Sequence, residues 1–206
     1  AATAVLIGSC AITLAFGAVP AGAEVVTRTV DRQTVTVKSP GMPTGTRAKS
    51  AVVFDAQTGR TLWAVRPNER RLIASTTKIM TALVAIERTR PDELLTATNY
   101  PAAAVESQLG LVPGERMTAQ DLIRALMLVS ANDAADTLAA RTATSRAAFV
   151  RAMNEKASEL GLKGTRYGNP VGLDVPRTFS TAADLAKLTQ AALKVPRFAN
   201  VVDKKR

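Results

Sequence analysis

Leu72-Ile73-Ala74-Ser75-Thr76-Thr77-Lys78-Ile79-Met80-Thr81-Ala82-Leu83-Val84-Ala85 sets a hydroxyl and an amine three residues apart at the head of an apolar run. Residues i and i+3 share one face of a helix. Ile79, Met80, Leu83, Val84 and Ile86 continue an apolar helical pattern directly after the pair. The spacing predicts a helix over 75–87 that begins with Ser75 and Lys78. Unpaired N–H groups at such a start favour a developing alkoxide, and one of them can face the oxyanion of an acyl-transfer intermediate. The chain has no histidine, so Ser75 cannot draw on an imidazole and the amine is the base at hand. A serine at a helix start also serves as a plain N-cap, and S-x-x-K alone is a short pattern.

A second cluster lies some fifty residues on. Thr118-Ala119-Gln120-Asp121 reads as an N-cap with an acidic residue three positions later, a variant of the capping box. The helix it opens, over 119–129, is rich in Leu, Ile and Met and runs into Ser130-Ala131-Asn132-Asp133. Small polar groups therefore crown an apolar helix. Asp133 reads as a cap for the next helix, over 134–140, and that reading leaves Asn132 without a structural task.

Ser75-Thr76-Thr77-Lys78 followed by Ser130-Ala131-Asn132 resembles the first two motifs of the penicillin-binding protein and serine β-lactamase superfamily. Leu72 to Ala85, Leu126 to Ala135 (LMLVSANDAA) and Phe149 to Asn154 (FVRAMN) are similar to its D-alanyl-D-alanine carboxypeptidase branch. So are Asn169-Pro170-Val171-Gly172-Leu173-Asp174 and Phe179 to Leu185, and the elements follow the expected order from Ser50 to Val202. The resemblance implies an α/β (α+β) fold of the β-lactamase/transpeptidase-like kind, an antiparallel sheet flanked by helices. Ala131 stands where that branch usually has glycine. The branch's third motif, Lys-Thr-Gly, does not occur here, and Lys163-Gly164-Thr165 has its letters in the wrong order within a predicted loop. The chain also starts without Met and stops at Arg206. We therefore expect the N-terminal part of a longer product, with the fold incomplete and this stretch inactive alone.

The resemblance further implies a serine-type D-Ala-D-Ala carboxypeptidase that removes the terminal D-alanine of peptidoglycan stem peptides and is inhibited by β-lactams. In that scheme Ser75 is the nucleophile and a neutral Lys78, its pKa lowered by burial and nearby positive charge, takes the serine proton. Ser130 relays a proton to the leaving amine. Asn132 holds Lys78 and the substrate amide through its two-ended side chain. No metal and no organic cofactor is required. Two alternatives stay open: a D,D-endopeptidase with the same site, and an inert wall-binding remnant if the gene ends at Arg206. A class A β-lactamase needs a deacylating Glu, usually in E-x-x-L-N, and no Glu after Asn132 supplies that pattern.

Ala4 to Val19 is apolar and uncharged, and Ala21-Gly22-Ala23 offers a small-x-small cleavage site. Residues 1–23 thus read as a secretory signal peptide, which places the product outside the cytoplasm, in the cell wall, the periplasm or at the outer membrane face. With Cys10 removed no thiol remains, and no cysteine-based metal site. Residues 24–49, rich in Thr, Val, Pro and Gly, read as a linker with at most an edge strand, and 50–206 as the catalytic-type domain. The net charge of +10 with only 4% aromatics argues against nucleic acid. It points instead toward anionic wall polymers and membrane surfaces. Ala51 to Asp55 and Thr61 to Val65 predict a β-hairpin, and helices are expected over 145–160 and 181–193, the last stopping before Pro196. Phe149, Met153, Leu160 and Trp63 read as packing residues.

Overall fold

The computed structural model describes residues 25–30, 33–38 and 47–203, and the chain divides into two units at residues 46 and 47. In the first unit, β1 (Val25–Val30) and β2 (Gln33–Lys38) pair antiparallel, with Val25 opposite Lys38 and Val30 opposite Gln33. The stretch expected to be a linker therefore carries a hairpin. Its alternating Val and Thr are β-branched, and such side chains suit a pleated strand. The signal peptide expected over 1–23 lies outside the described residues.

The second unit begins with the hairpin predicted from sequence. β3 (Ala51–Phe54) and β4 (Thr61–Val65) pair antiparallel, Ala51 opposite Val65, with a bulge between Val53 and Phe54. Asp55 fixes the turn by accepting the N–H groups of Gln57 and Thr58 at 2.9 Å each, while Gly59 sits at φ +73, the left-handed region open to glycine. A second pair of short strands, β5 (Leu94–Thr96) and β6 (Arg116–Thr118), frames the segment between the first two helices.

Helix α1 spans Lys78–Arg88 and is preceded by a tight 3-10 turn over Ala74–Thr77. Ser75 and Lys78 thus straddle the junction, where a single helix from Ser75 was expected. Ala74 at φ +43 is the reason: the chain enters from a left-handed residue and tightens before it relaxes into the α-helix. α2 (Ala119–Leu128) starts as predicted, with Thr118 accepting the Asp121 N–H at 3.1 Å and donating its hydroxyl to the Asp121 carboxylate. α3 (Asn132–Arg141), α4 (Arg146–Glu159) and α5 (Ala182–Leu193) follow. Pro196 does stop α5, and it then opens a further short helix, α6 (Pro196–Val202), at the position where a proline costs no hydrogen bond.

α1 is the hub, packed against α2, α3, α4, α5 and α6. Its Met80, Leu83 and Val84 are buried with Leu126, Leu138 and Phe149 from the surrounding helices. Phe149 and Met153 are fully buried and Leu160 packs at the edge, as the sequence suggested. The result is a mixed architecture of helices and small antiparallel sheets. Among the described residues no helix is long and apolar enough to cross a membrane, and no cluster of His, Cys, Asp or Glu could hold a metal ion.

Candidate active site

Lys78 is the first residue of a helix whose other face fills the core, so its side chain is carried inside: it is 2% exposed. Its Nζ donates to Ser75 Oγ at 3.0 Å and to the carbonyl of Val171 at 2.7 Å. Ser75 itself is exposed. Burial disfavours the ammonium form and pushes the Lys78 pKa down to about 8, against the pull of the nearby Glu106 carboxylate, which raises it. A buried amine whose charged form is disfavoured by burial thus touches an accessible hydroxyl.

The Val171 carbonyl is presented by a loop that the sequence builds for close approach. Asn169 Oδ1 accepts the N–H groups of Val171 and Gly172 at 3.1 and 2.7 Å, and its Nδ2 donates to the Leu173 carbonyl. Thr81, one turn into α1, donates to the Pro170 carbonyl at 2.7 Å. The loop is thereby tied to the same helix that carries Lys78. Gly172 at φ +92 lies against the backbone of Ala74 and Ser75, where no side chain fits.

Ser130 is half-buried between α2 and α3, with φ +59. That left-handed turn ends one helix and starts the next, and the Ser130 hydroxyl forms no hydrogen bond among the described residues. Asn132 is buried, its backbone N–H bonded to the Ser107 carbonyl at 2.8 Å. Its Nδ2 donates to Glu106 Oε2 at 2.7 Å. The expected grip of Asn132 on Lys78 is thus replaced by a grip on Glu106, while Lys78 bonds to Ser75 and Val171. Glu106 also accepts from the Tyr100 hydroxyl and from the Ala103 N–H at 3.1 Å. These donors hold its carboxyl below the usual range, the tyrosine first, and burial with the adjoining carboxylate pushes the Tyr100 hydroxyl up.

Asp133, read from sequence as a cap, has a larger task. Its carboxylate accepts the N–H groups of Leu109, Gly110 and Leu111 at 2.8 to 2.9 Å, besides that of Ala134. Burial works against its charge, but these backbone donors outweigh it and keep the carboxyl below its ordinary value. The segment bearing Glu106 is fastened to α3 on one side by Asn132 and on the other by Asp133. Lys163-Gly164-Thr165 is a loop, as expected, tied by Gly164 N–H and Thr165 Oγ1 to Asp184 at 2.7 Å each.

Sequence reasoning did not find Glu106 or Val171. Glu106 sits in a stretch without periodicity, and no spacing links it to Lys78. Val171 acts through a backbone carbonyl, which side-chain patterns do not report; the surrounding Asn169-Pro170-Val171-Gly172 was the visible sign.

Comparison with known proteins points to one family. The family model for D-alanyl-D-alanine carboxypeptidase matches residues 34–205. The chain is 38% identical over 152 residues to the D-alanyl-D-alanine carboxypeptidase DacF of Bacillus subtilis, covering 71% of this chain and 39% of that protein. It is 37% identical over 149 residues to a D-alanyl-D-alanine endopeptidase of Pseudomonas aeruginosa, covering 71% and 48%. Among solved structures, penicillin binding protein 6B from Escherichia coli superposes with a TM-score of 0.74 at 35% identity, over 81% of this chain and 56% of that one. The chain spans about half the length, or less, of these relatives. Its fold is that of the penicillin-binding, transpeptidase-like proteins, and with residues 34–205 matched by the family model the chain belongs to the D-alanyl-D-alanine carboxypeptidase family.

Proposed function

We propose that this chain carries the serine and lysine of a D-alanyl-D-alanine carboxypeptidase acting on peptidoglycan stem peptides. The observation that carries this reading is the buried Lys78 amine, 3.0 Å from the exposed Ser75 hydroxyl. The neutral amine takes the Ser75 proton as Oγ attacks the carbonyl carbon of the penultimate D-alanine. The C–N bond to the terminal D-alanine then breaks, the leaving amine receives a proton through the unengaged Ser130 hydroxyl, and water releases the acyl group from Ser75. β-Lactams, which present a strained amide in place of that peptide bond, acylate the same oxygen. Asn132 faces the substrate amide and is oriented by Glu106, whose charge also opposes the loss of the Lys78 proton. The substrate lies outside the cytoplasm, and the apolar stretch Ala4 to Val19 is read as the export signal that brings the enzyme there.

The endopeptidase relative keeps a second reading in view, cleavage of a cross-link between stem peptides by the same site. The deciding experiment treats the full-length protein with penicillin and maps the adduct by mass spectrometry, then analyses products from defined muropeptides. An adduct on Ser75 that disappears in Ser75→Ala supports the acyl-enzyme. An adduct elsewhere, or one that survives the substitution, overturns it. Free D-alanine against resolved cross-links separates the two activities.

A further inference from the structure

A cleft of about 820 Å³ opens between α4 and the 163–179 segment, apart from Ser75 and Lys78. Arg70, Arg151, Lys163, Arg166 and Arg177 line it, with Glu155 as the one carboxylate. The chain as a whole carries 27 Lys and Arg against 17 Asp and Glu, so a wall with five cations and one acid concentrates the charge well beyond composition. All five cations are exposed. Among the described residues none of them joins an ion pair. Arg151 and Glu155 also line an adjoining cleft of about 520 Å³ with Arg88 and Arg141, so the basic surface continues past the first cleft.

Like charges gathered on a concave wall repel one another and focus a positive potential into the space between them. Four of the five are arginine, whose planar fork matches the paired oxygens of phosphate or carboxylate. The concave shape suits a strand and not the plane of a bilayer. Nucleic acid is disfavoured by the aromatic content: the one aromatic ring that fronts the cleft besides Tyr167 is Phe179, and Arg70 covers its face at 4.6 Å. Tyr167 is fully buried. No open ring is left for a base to stack on.

We propose that this cleft binds a linear polyanion without bases, a polymer other than nucleic acid that bears phosphodiester or carboxylate groups at repeated intervals. The inference stands independently of the Ser75 chemistry. Binding is driven by release of the polymer's counterions, and so weakens steeply with salt.

The test measures binding of fluorescent poly(glycerol phosphate) and of fluorescent poly-L-glutamate to the full-length protein across a salt series. The variants are Arg151→Gln/Arg166→Gln and a charge-matched control, Arg60→Gln/Arg116→Gln, on exposed residues away from the cleft. Neither Arg151 nor Arg166 forms a side-chain hydrogen bond among the described residues, so the fold is not at stake, and unchanged melting temperatures verify this. The cleft pair should lose on the order of tenfold in affinity for at least one polymer, and its salt slope should drop by about one per arginine. The control should stay within about twofold of the parent on the same principle. Which polymer responds identifies phosphate or carboxylate as the ligand group. Equal losses in both pairs, no binding of either polymer at low salt, or a cleft-specific loss seen only with oligothymidylate or with phosphatidylglycerol vesicles would overturn the proposal.

Discussion

A Cβ placed on Gly172 would stand 2.1 Å from the carbonyl oxygen of Ala74 and 3.1 Å from the Ser75 nitrogen. The loop that gives its Val171 carbonyl to Lys78 is therefore in backbone contact with the turn that carries Ser75. Gly172→Ala meets both this clash and a φ of +92, so one of the two segments has to move. A displacement of about 1 Å at a catalytic pair costs on the order of 100-fold. We expect Gly172→Ala in the full-length protein to lower the rate of penicillin acylation by that order, and stopped-flow acylation with a thermal melt would check it.

Lys78 sets the pH dependence. Its amine takes a proton only when neutral, and its pKa is pushed down to about 8, so the acylation rate should rise with pH through about 8 and level off above it. Lys78→Arg, whose guanidinium stays protonated, should abolish acylation; near-parental rates in that variant would make Lys78 structural. The stability effect follows the same titration. The folded state holds this proton less well than the unfolded chain, whose lysine titrates near 10.5. The contribution to stability is thus smallest below about 8 and grows as pH climbs toward 10.5.

Glu106→Gln removes the charge that raises the Lys78 pKa while keeping an oxygen for Tyr100 or Asn132. The acid limb of the pH–rate profile should move to lower pH in this variant. Glu106→Ala should additionally loosen Asn132 and raise KM for a D-Ala-D-Ala peptide. A profile that stays in place in Glu106→Gln would show that the carboxylate does not act on the lysine.

Asp133→Ala strands three N–H groups of the 109–111 loop and the N–H of Ala134. Hydrogen bonds to a buried charged acceptor contribute about 1.5 to 3 kcal/mol each to a difference measurement, and part is recovered by solvent reaching the loop. A loss of roughly 2 to 4 kcal/mol in urea unfolding is expected.

Local chemistry made much of this molecule legible before its structure. The Thr118 cap, the Ala51 to Val65 hairpin and the apolar face of α1 each depend on residues close in sequence, and they appear where the pattern put them. The pairing of Ser75 with Lys78 is likewise a matter of one helical turn. What stayed hidden joins distant positions: Glu106 meets Asn132 across 26 residues, and Val171 meets Lys78 across 93. Such contacts are set by how helices pack, and in the second case by a carbonyl that every residue type possesses. Pro196 ended α5 as its sequence position predicted, and the α6 helix it also opens went unread, because the residue that ends one helix also suits the first turn of the next.

Asn132 and Asp133 are neighbours that hold opposite ends of one loop, the first through Glu106 and the second through the amides of 109–111. Each added or deleted residue turns a helix by about 100°, so a single insertion between Ser130 and Asp133 would swing both side chains off their partners together. The junction between α2 and α3 should thus tolerate exchange of side chains, as at Ala131, far better than any change of length. A library that varies loop lengths across this fold should recover insertions in the Gln57-Thr58-Gly59 turn and none here.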